Sequence, residues 1–244
     1  MIASNAAASL IPLNGYATGQ LSDMNPTGFT PPGWVFSIWG VLYIGIIGLA
    51  LRAALAGGRS PGGPSRARLR LESIELPYLV SSVANAGWIF AWHYRQVPLS
   101  LAVMLVLLAS LALAWYRLRR QPASSWGERI FVDGTISLYF GWITAATFIN
   151  VATVFFDTGT YPFGLAMDQW ALVAVVIATA VYVGFGAWTS DAVYVCVFVW
   201  AAYGIATRAQ GVTEAVQLAA ATGCAAAACI AVLAVLRRVA ARVS

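Results

Sequence analysis

Charge is scarce in this sequence: Asp, Glu and Arg make up 9% of its 244 residues, and Lys is absent. Ordinary soluble domains carry roughly 25% charged residues. A water-exposed surface cannot be built from so few charges, and 60% of the residues are hydrophobic. No polar stretch is long enough to form a second domain, so the composition predicts one bundle of segments with lipid as its main solvent.

The residues that usually carry catalysis or bind metals are also few. There is one His, and Cys196, Cys224 and Cys229 lie in apolar segments without a C-x-x-C pair. This predicts buried reduced thiols rather than a disulfide or a metal site. The sequence has no P-loop and no HExxH motif, and one His is a poor basis for a Ser-His-Asp set. A binding protein is therefore favoured over an enzyme, and over an ion-coupled transporter, because the apolar runs hold too few charged groups.

Long hydrophobic runs dominate what is present. Most of them reach the ~18 to 20 residues needed to cross ~30 Å of hydrocarbon. They lack the strict alternation of barrel strands, so they predict helices. The expected fold is all-α, a polytopic transmembrane helix bundle with about seven full spans, after a short helix at Met1–Leu13 and an ordered loop at Asn14–Pro32. The spans are Trp34–Leu51, Leu76–Tyr94, Gln96–Tyr116, Gly134–Phe156, Gln169–Ser190, Ala192–Thr207 and Ala215–Leu236.

The arginines predict an orientation. If the spans alternate in direction, only Arg95 and Arg208 lie on one side, and the other twelve share the opposite side. By the positive-inside rule, the C-terminus is cytoplasmic, and the bacterial inner membrane is the expected location. The arginines sit at the ends of apolar runs rather than on one face, so no nucleic-acid partner is predicted.

One segment carries a polar stripe. Its members follow each other at spacings of four, seven, three and three, which places them on one helical face that must point into the bundle. Asp133 is expected to form a local ion pair with Arg129 or to cap the helix; a proton-relay or ligand role is the alternative. The stripe consists of Asp133, Ser137, Thr144, Thr147 and Asn150.

Two further polar residues lie near aromatic ones. Asn85 precedes Trp88 by three residues, so the two share a helical face, and Asn85 is either interhelical glue or a ligand contact. His93 could ligate a haem iron, but an interfacial ring near the headgroups is the favoured interpretation.

Three motifs carry a family resemblance. Thr30-Pro-Pro-Gly-Trp-Val-Phe36 with Trp39 and Tyr43, then Asn85-Ala-Gly-Trp88, then Tyr139-Phe-Gly-Trp142 with Thr147 and Asn150, stand in the order found in the TspO/translocator-protein family, also called tryptophan-rich sensory proteins or peripheral benzodiazepine receptors. The resemblance covers residues 1–156 and implies that family's helix bundle with a short first helix and the first loop as a lid. Residues 157–244 would form three additional helices packed on this core, an extended form of the family.

The resemblance implies a pocket for porphyrins, haem or other flat apolar molecules. Trp faces would stack on such a ring while Asn, Tyr and Thr fix its orientation. His93 and the loop 14–32 would guard the entrance, and no metal site is implied. Leu138 and Ala145 depart from the family pattern, so the pocket wall is expected to differ there. The implied lining is Trp34, Trp39, Tyr43, Asn85, Trp88, Tyr139, Trp142, Ala145, Thr147 and Asn150.

Three functions stay open at this point. The first is a membrane receptor, sensor or carrier for a tetrapyrrole-like ligand. The second is an accessory or assembly subunit of a larger pigment-bearing complex, or a homodimer, for which the small face of Ala219, Gly223, Ala226 and Ala227 would permit close helix contact. The third is an enzyme that degrades a bound porphyrin.

Overall fold

The computed structural model describes residues 13–16, 18–25, 27–56 and 65–243, and this part of the chain is helical with short connections. The predicted helix at Met1–Leu13 falls outside the described residues, apart from Leu13. The predicted loop 14–32 contains a helix of its own, α1. The helices are α1 (Thr18–Asp23), α2 (Ile38–Ala56), α3 (Arg66–His93), α4 (Val97–Arg119), α5 (Trp126–Thr158), α6 (Met167–Thr189), α7 (Ala192–Ala206) and α8 (Glu214–Val243).

Each of the seven predicted spans coincides with one of the helices α2 to α8, which confirms a polytopic helical membrane protein. In the described part, five of them are long and apolar enough to cross a membrane: α2 with the 3-10 turn before it, α4, α5, α6 and α8. α7 has only 15 residues. α3 has 28 residues but begins with charged turns, where Arg68 and Glu72 pair at 2.7 Å. α3 and α7 also belong to the bundle, but their apolar segments are shorter than those of the other five helices.

Sequence-local signals explain where several helices begin and end. Ser65 accepts a hydrogen bond from the Arg68 amide at 3.2 Å and caps α3. Asp191 does the same for α7, through the Tyr194 amide at 3.3 Å. α5 ends where Gly159 takes the left-handed conformation, with a φ of 62°. Only two residues separate α6 from α7, so these two helices form a tight hairpin.

The last three helices pack directly on the earlier ones. A single hydrophobic cluster joins Tyr139 and Trp142 of α5 to Tyr182 of α6 and Tyr194 of α7. The Tyr182 hydroxyl donates to the Gly141 carbonyl at 2.5 Å. A Cβ at Gly141 would lie 2.9 Å from a methyl of Val197, so only glycine allows α5 and α7 to approach this closely. The division of the chain at residue 156 stays a prediction, but the two parts share one core.

The arginines gather at one end of the bundle. Arg70 is buried; it pairs with Glu128 at 3.4 Å and with Asp133, and donates to the Gln121 carbonyl at 2.6 Å. This corrects the expectation that Asp133 pairs with Arg129, whose guanidinium instead lies 5.6 Å from the centre of the Trp126 ring. Residues Arg129–Gly134 form a π-helical turn within α5.

Other arginines make contacts that agree with the predicted grouping. Arg52 donates to Ser125 at 2.7 Å, and Arg119 donates to the Thr189 carbonyl, both at the end that holds Arg70. Arg208 contacts the Thr30 carbonyl at the opposite end. Which of the two ends is cytoplasmic stays a prediction.

Candidate functional site

Four indoles and one phenyl ring from three helical elements meet inside the bundle, in a space that we call the indole pocket. The Trp39 and Trp142 ring centres lie 6.5 Å apart, with the rings nearly perpendicular. Trp88 and Trp92, one turn apart on α3, stack with centres 5.5 Å apart. Phe36 packs edge-on against Trp142 at 5.6 Å. Ser22, Asn85, Met104, Ile143, Ala146, Ile149 and Asn150 complete the lining.

Asn150 is the polar group of this pocket that α3 and α4 hold through two hydrogen bonds. It is 2% exposed, and its side-chain amide donates to the Ser100 hydroxyl at 2.9 Å. Its oxygen accepts from the Trp88 indole nitrogen at 3.2 Å. Partners from two other helices therefore fix the orientation of Asn150 before any ligand binds.

A second polar contact lies behind the indoles. Asn85 is buried, lines the pocket and is hydrogen-bonded to the side chain of Tyr139. Tyr139 is fully buried and packs edge-on against Trp39, with ring centres 6.0 Å apart. Tyr43 stacks on the same Trp39 at 5.8 Å. The two tyrosines thus support the pocket wall rather than line the cavity itself.

Trp92 offers a hydrogen bond that nothing in the described part of the chain accepts. The residue is 6% exposed and lines the pocket, yet its indole nitrogen has no partner. Leaving a buried donor unsatisfied costs about 1–3 kcal/mol. A ligand acceptor in the indole pocket would recover part of that free energy.

The indole pocket is narrow in this conformation. Its cavity volume is about 30 Å³, far below the roughly 300–1,000 Å³ of typical ligand pockets. Ser22 of α1 covers one side and is itself buried. A tetrapyrrole cannot fit unless α1 or the indoles move.

Five of the predicted lining residues therefore meet in one cavity: Trp39, Asn85, Trp88, Trp142 and Asn150. Tyr43 and Tyr139 stand directly behind them. Three other predicted residues lie elsewhere, and so does the predicted entrance residue His93.

Trp34 faces the last helices rather than the pocket. It is 43% exposed and meets Trp200 of α7 edge-on, with ring centres 4.8 Å apart. The indole nitrogen of Trp200 donates to the neighbouring Val35 carbonyl at 2.9 Å. Trp34 thus lies outside the indole pocket, in a turn that contacts α7.

Ala145 and Thr147 also point away from the indoles. Ala145 lies against Tyr182 and Phe198 of the last three helices. Thr147 lines a separate apolar cavity between α5 and α6, and its hydroxyl donates to the Ile143 carbonyl at 2.7 Å. The residues of the polar stripe on α5 therefore face different neighbours: Asn150 faces α3 and α4, whereas Thr147 faces the cavity beside α6.

His93 is fully buried, so the expectation of an interfacial ring is wrong. One ring nitrogen lies 2.8 Å from the Ile89 carbonyl. The His93 carbonyl accepts from the Asn14 side chain at 2.9 Å, which ties the segment before α1 to the end of α3. The His93 side chain therefore does not stand open at the pocket entrance, and only its backbone carbonyl contacts Asn14 in the described part of the chain.

Sequence reasoning missed seven of the lining residues, among them Trp92, Phe36 and Ser22, and it also missed Ser100, the hydrogen-bond partner of Asn150. Trp92 follows Trp88 by one helical turn, and this spacing was a usable signal. Phe36 lies within the first motif. Ser22 and Ser100 gave no signal, because only the tertiary fold brings α1 and α4 to Asn85 and Asn150.

Two other expectations concern cysteines and small residues. Cys196 and Cys229 are exposed on the outer surface, contrary to the expected burial, and the three thiols are unpaired. In the described part no cluster of His, Cys, Asp or Glu could hold a metal ion. Within the small face of α8, Ala227 is fully buried, and a Cβ at Gly223 would lie 2.4 Å from the Thr179 hydroxyl. Most of this face is therefore used within the chain.

The comparisons with known proteins agree with the motifs. A family model described as TSPO-like protein matches residues 1–236, so the match continues well beyond the three motifs and into α8. No curated protein and no solved structure matches the chain.

Proposed function

The chain belongs to the family of TSPO-like proteins, and from that premise we propose that it binds a flat apolar ligand, such as a tetrapyrrole, in the indole pocket. The observation that carries the proposal is the combination of four converging indoles with the unpartnered Trp92 nitrogen. Aromatic faces supply most of the contact area for such a ligand, and a few fixed polar groups orient it. The protein would then act as a receptor, sensor or carrier.

Ligand access requires the pocket to open, and α1 is the element placed to move. Asn14 ties one end of this segment to α3, and Thr30 is held at the other end by Arg208. Within it, Thr27 and Thr30 share a hydrogen bond of 2.7 Å. A short helix that is joined to the bundle at both ends of its segment can move as a unit, as lids over binding sites do. Its displacement would move Ser22 away from the pocket and uncover the indoles below.

Replacing Trp39 or Trp142 with Ala is expected to weaken protoporphyrin binding about tenfold or more, because tenfold corresponds to 1.4 kcal/mol and one aromatic contact contributes about 0.5–1.5 kcal/mol beyond its buried area. Titration of the purified protein, followed by porphyrin absorbance and tryptophan quenching, measures this. Trp142 is fully buried, so Trp142→Ala risks misfolding. Trp39 is only half-buried, so Trp39→Ala should fold and provides the test in that case.

Trp188→Ala is the matched control, since Trp188 is 78% exposed and lies outside the indole pocket. Its affinity should equal that of the wild type. Unchanged affinity in both pocket variants would refute the site. Recovery of intact porphyrin after illumination would separate a carrier or sensor from an enzyme that degrades the ligand.

Trp92→Phe should distinguish ligands by their acceptors. It keeps an aromatic ring but removes the unpartnered donor. A hydrogen bond to a charged group contributes about 1.5–3 kcal/mol, so binding of a porphyrin with carboxylates should fall by about tenfold or more. Binding of unsubstituted porphine should stay within twofold of wild type. An equal loss for both ligands would show that Trp92 acts only through packing.

A further inference from the structure

A second cavity lies between α5 and α6, and we call it the seam cavity. Its volume is about 380 Å³, against about 30 Å³ for the indole pocket. Ligand pockets typically measure roughly 300–1,000 Å³, so the seam cavity is already large enough for an occupant. It is formed where the fifth helix meets the first of the three additional helices.

The interior of the seam cavity offers almost no polar contact. The hydroxyls of Thr144 and Thr147 donate to the carbonyls of their own helix at 2.9 and 2.7 Å. The remaining walls are side chains such as Leu108, Val151 and Ala174. Burying an unpaired polar group there would be costly, so the part of an occupant inside the cavity must be hydrocarbon.

The side of the seam cavity opens on the outer surface of the bundle. Ile177 and Val181 line it and are 47% and 38% exposed. In a membrane-spanning segment such exposed aliphatic side chains face lipid. An occupant therefore enters sideways from the bilayer, without crossing the water phase.

An aromatic and acidic rim closes one end of the cavity. The ring of Phe155 lies 6.4 Å from Tyr161 and 5.3 Å from Trp170, centre to centre. Trp170 donates from its indole nitrogen to the Pro162 carbonyl at 2.9 Å, as expected for an indole at a membrane interface. Exposed Asp157 and Asp168 flank these rings.

The charge at this rim selects the headgroup. The sequence contains no Arg between Arg129 and Arg208, so residues 157–168 carry the two carboxylates and no cation. Arg208 lies at the same end of the bundle, but its guanidinium is hydrogen-bonded to the Thr30 and Gln210 carbonyls. An anionic headgroup would be repelled there, whereas an ammonium group would be attracted. We propose that the seam cavity holds one acyl chain of a membrane lipid with an amine-bearing, zwitterionic headgroup, of the phosphatidylethanolamine type, whose ammonium lies near Asp157 and Asp168.

Photo-crosslinking of the wild-type protein in bilayer nanodiscs tests the position of the chain. A phosphatidylethanolamine with a photoactivatable acyl chain should label peptides covering residues 144–155 and 170–181 several-fold more than α2, whose outer residues are equally open to lipid. The same chain on phosphatidylglycerol should label them several-fold less. Even labelling of all exposed helices, or stronger labelling by phosphatidylglycerol, would overturn the proposal.

Filling the cavity is the second arm of the test. Ala174→Phe should reduce labelling of the 144–155 peptide at least fivefold, as should Ala152→Phe from the opposite wall. Ala180→Phe is the matched control, because Ala180 is exposed on the same helix outside the lining, and it should leave labelling unchanged. Protoporphyrin titration of Ala174→Phe reports the indole pocket independently and should match wild type. Full labelling of both filled variants would contradict the proposal.

Discussion

Replacing Arg70 with Met should lower the free energy of unfolding by about 3–5 kcal/mol, because removing one partner of a buried ion pair leaves an uncompensated charge. Arg70 is 3% exposed and joins three parts of the chain: α3, the Gln121 carbonyl after α4, and Glu128 with Asp133 in α5. Without the guanidinium, the buried Glu128 loses its ion-pair partner, although Arg52 remains nearby. Denaturation of the detergent-solubilised protein by dodecyl sulfate measures the loss.

The exposed pair one turn away provides the control. Arg68 and Glu72 form an ion pair whose side chains are 40% and 45% exposed, and such pairs contribute about 0–1 kcal/mol. Arg68→Ala should therefore unfold close to wild type. Adding Glu128→Gln and Asp133→Asn to Arg70→Met should recover part of the loss, since no charge is then left unpaired. If Arg70→Met alone were as stable as Arg68→Ala, the ion pairs of Arg70 with Glu128 and Asp133 would contribute little to stability.

Arg70 also shows where sequence reasoning reached its limit. The interval between Arg129 and Asp133 favoured a local ion pair, yet the partner of Asp133 lies 63 residues earlier in the chain. A single sequence shows which residues are four positions apart, but it does not show that α3 and α5 pack against each other in the bundle. The start of α3 differs as well, because the predicted span began at Leu76. The charged turns from Arg66 continue the helix beyond its apolar part.

The helices themselves were predictable because lipid imposes a simple rule on length and composition. A run of about 20 apolar residues without charges has little alternative to a helix. The charged start of α3, the charged end of α8 and the early start of α5 were the main departures. Local polar residues set these boundaries, so runs of apolar residues locate a span better than its ends.

The indole pocket was partly predictable, and the misses have one cause. Trp88, Trp142 and Asn150 were found because motif and helical periodicity pointed to the same face. Trp34 and Ala145 were assigned to the pocket by resemblance. In the structure, Trp34 packs on Trp200 of α7, and Ala145 lies beside Tyr182 of α6 and Phe198 of α7. The resemblance covered only residues 1–156, so it could not indicate contacts with α6 and α7.

Asp191 is the residue through which the added helices are fixed to the core, and Asp191→Ala should destabilise the protein by several kcal/mol. Its carboxylate accepts from the Trp115 indole of α4 and from the Ser137 hydroxyl of α5, each at 2.7 Å. It also caps α7 through the Tyr194 amide. Loss of a helix cap costs about 0.5–2 kcal/mol, and each donor left buried and unpaired costs about 1–3 kcal/mol.

Asp191→Asn separates charge from hydrogen bonding, and Asp168→Ala controls for removing a carboxylate. The Asn variant keeps an acceptor oxygen, so it should lie between wild type and Asp191→Ala. Asp168 is exposed in the first turn of α6, and its loss should cost less than 1 kcal/mol.

If α6 to α8 are held mainly through Asp191, limited proteolysis of Asp191→Ala should cut the α5–α6 connection before the rest of the chain. Cleavage there at the wild-type rate would show that apolar packing alone, around Gly141 and Tyr182, joins the two parts.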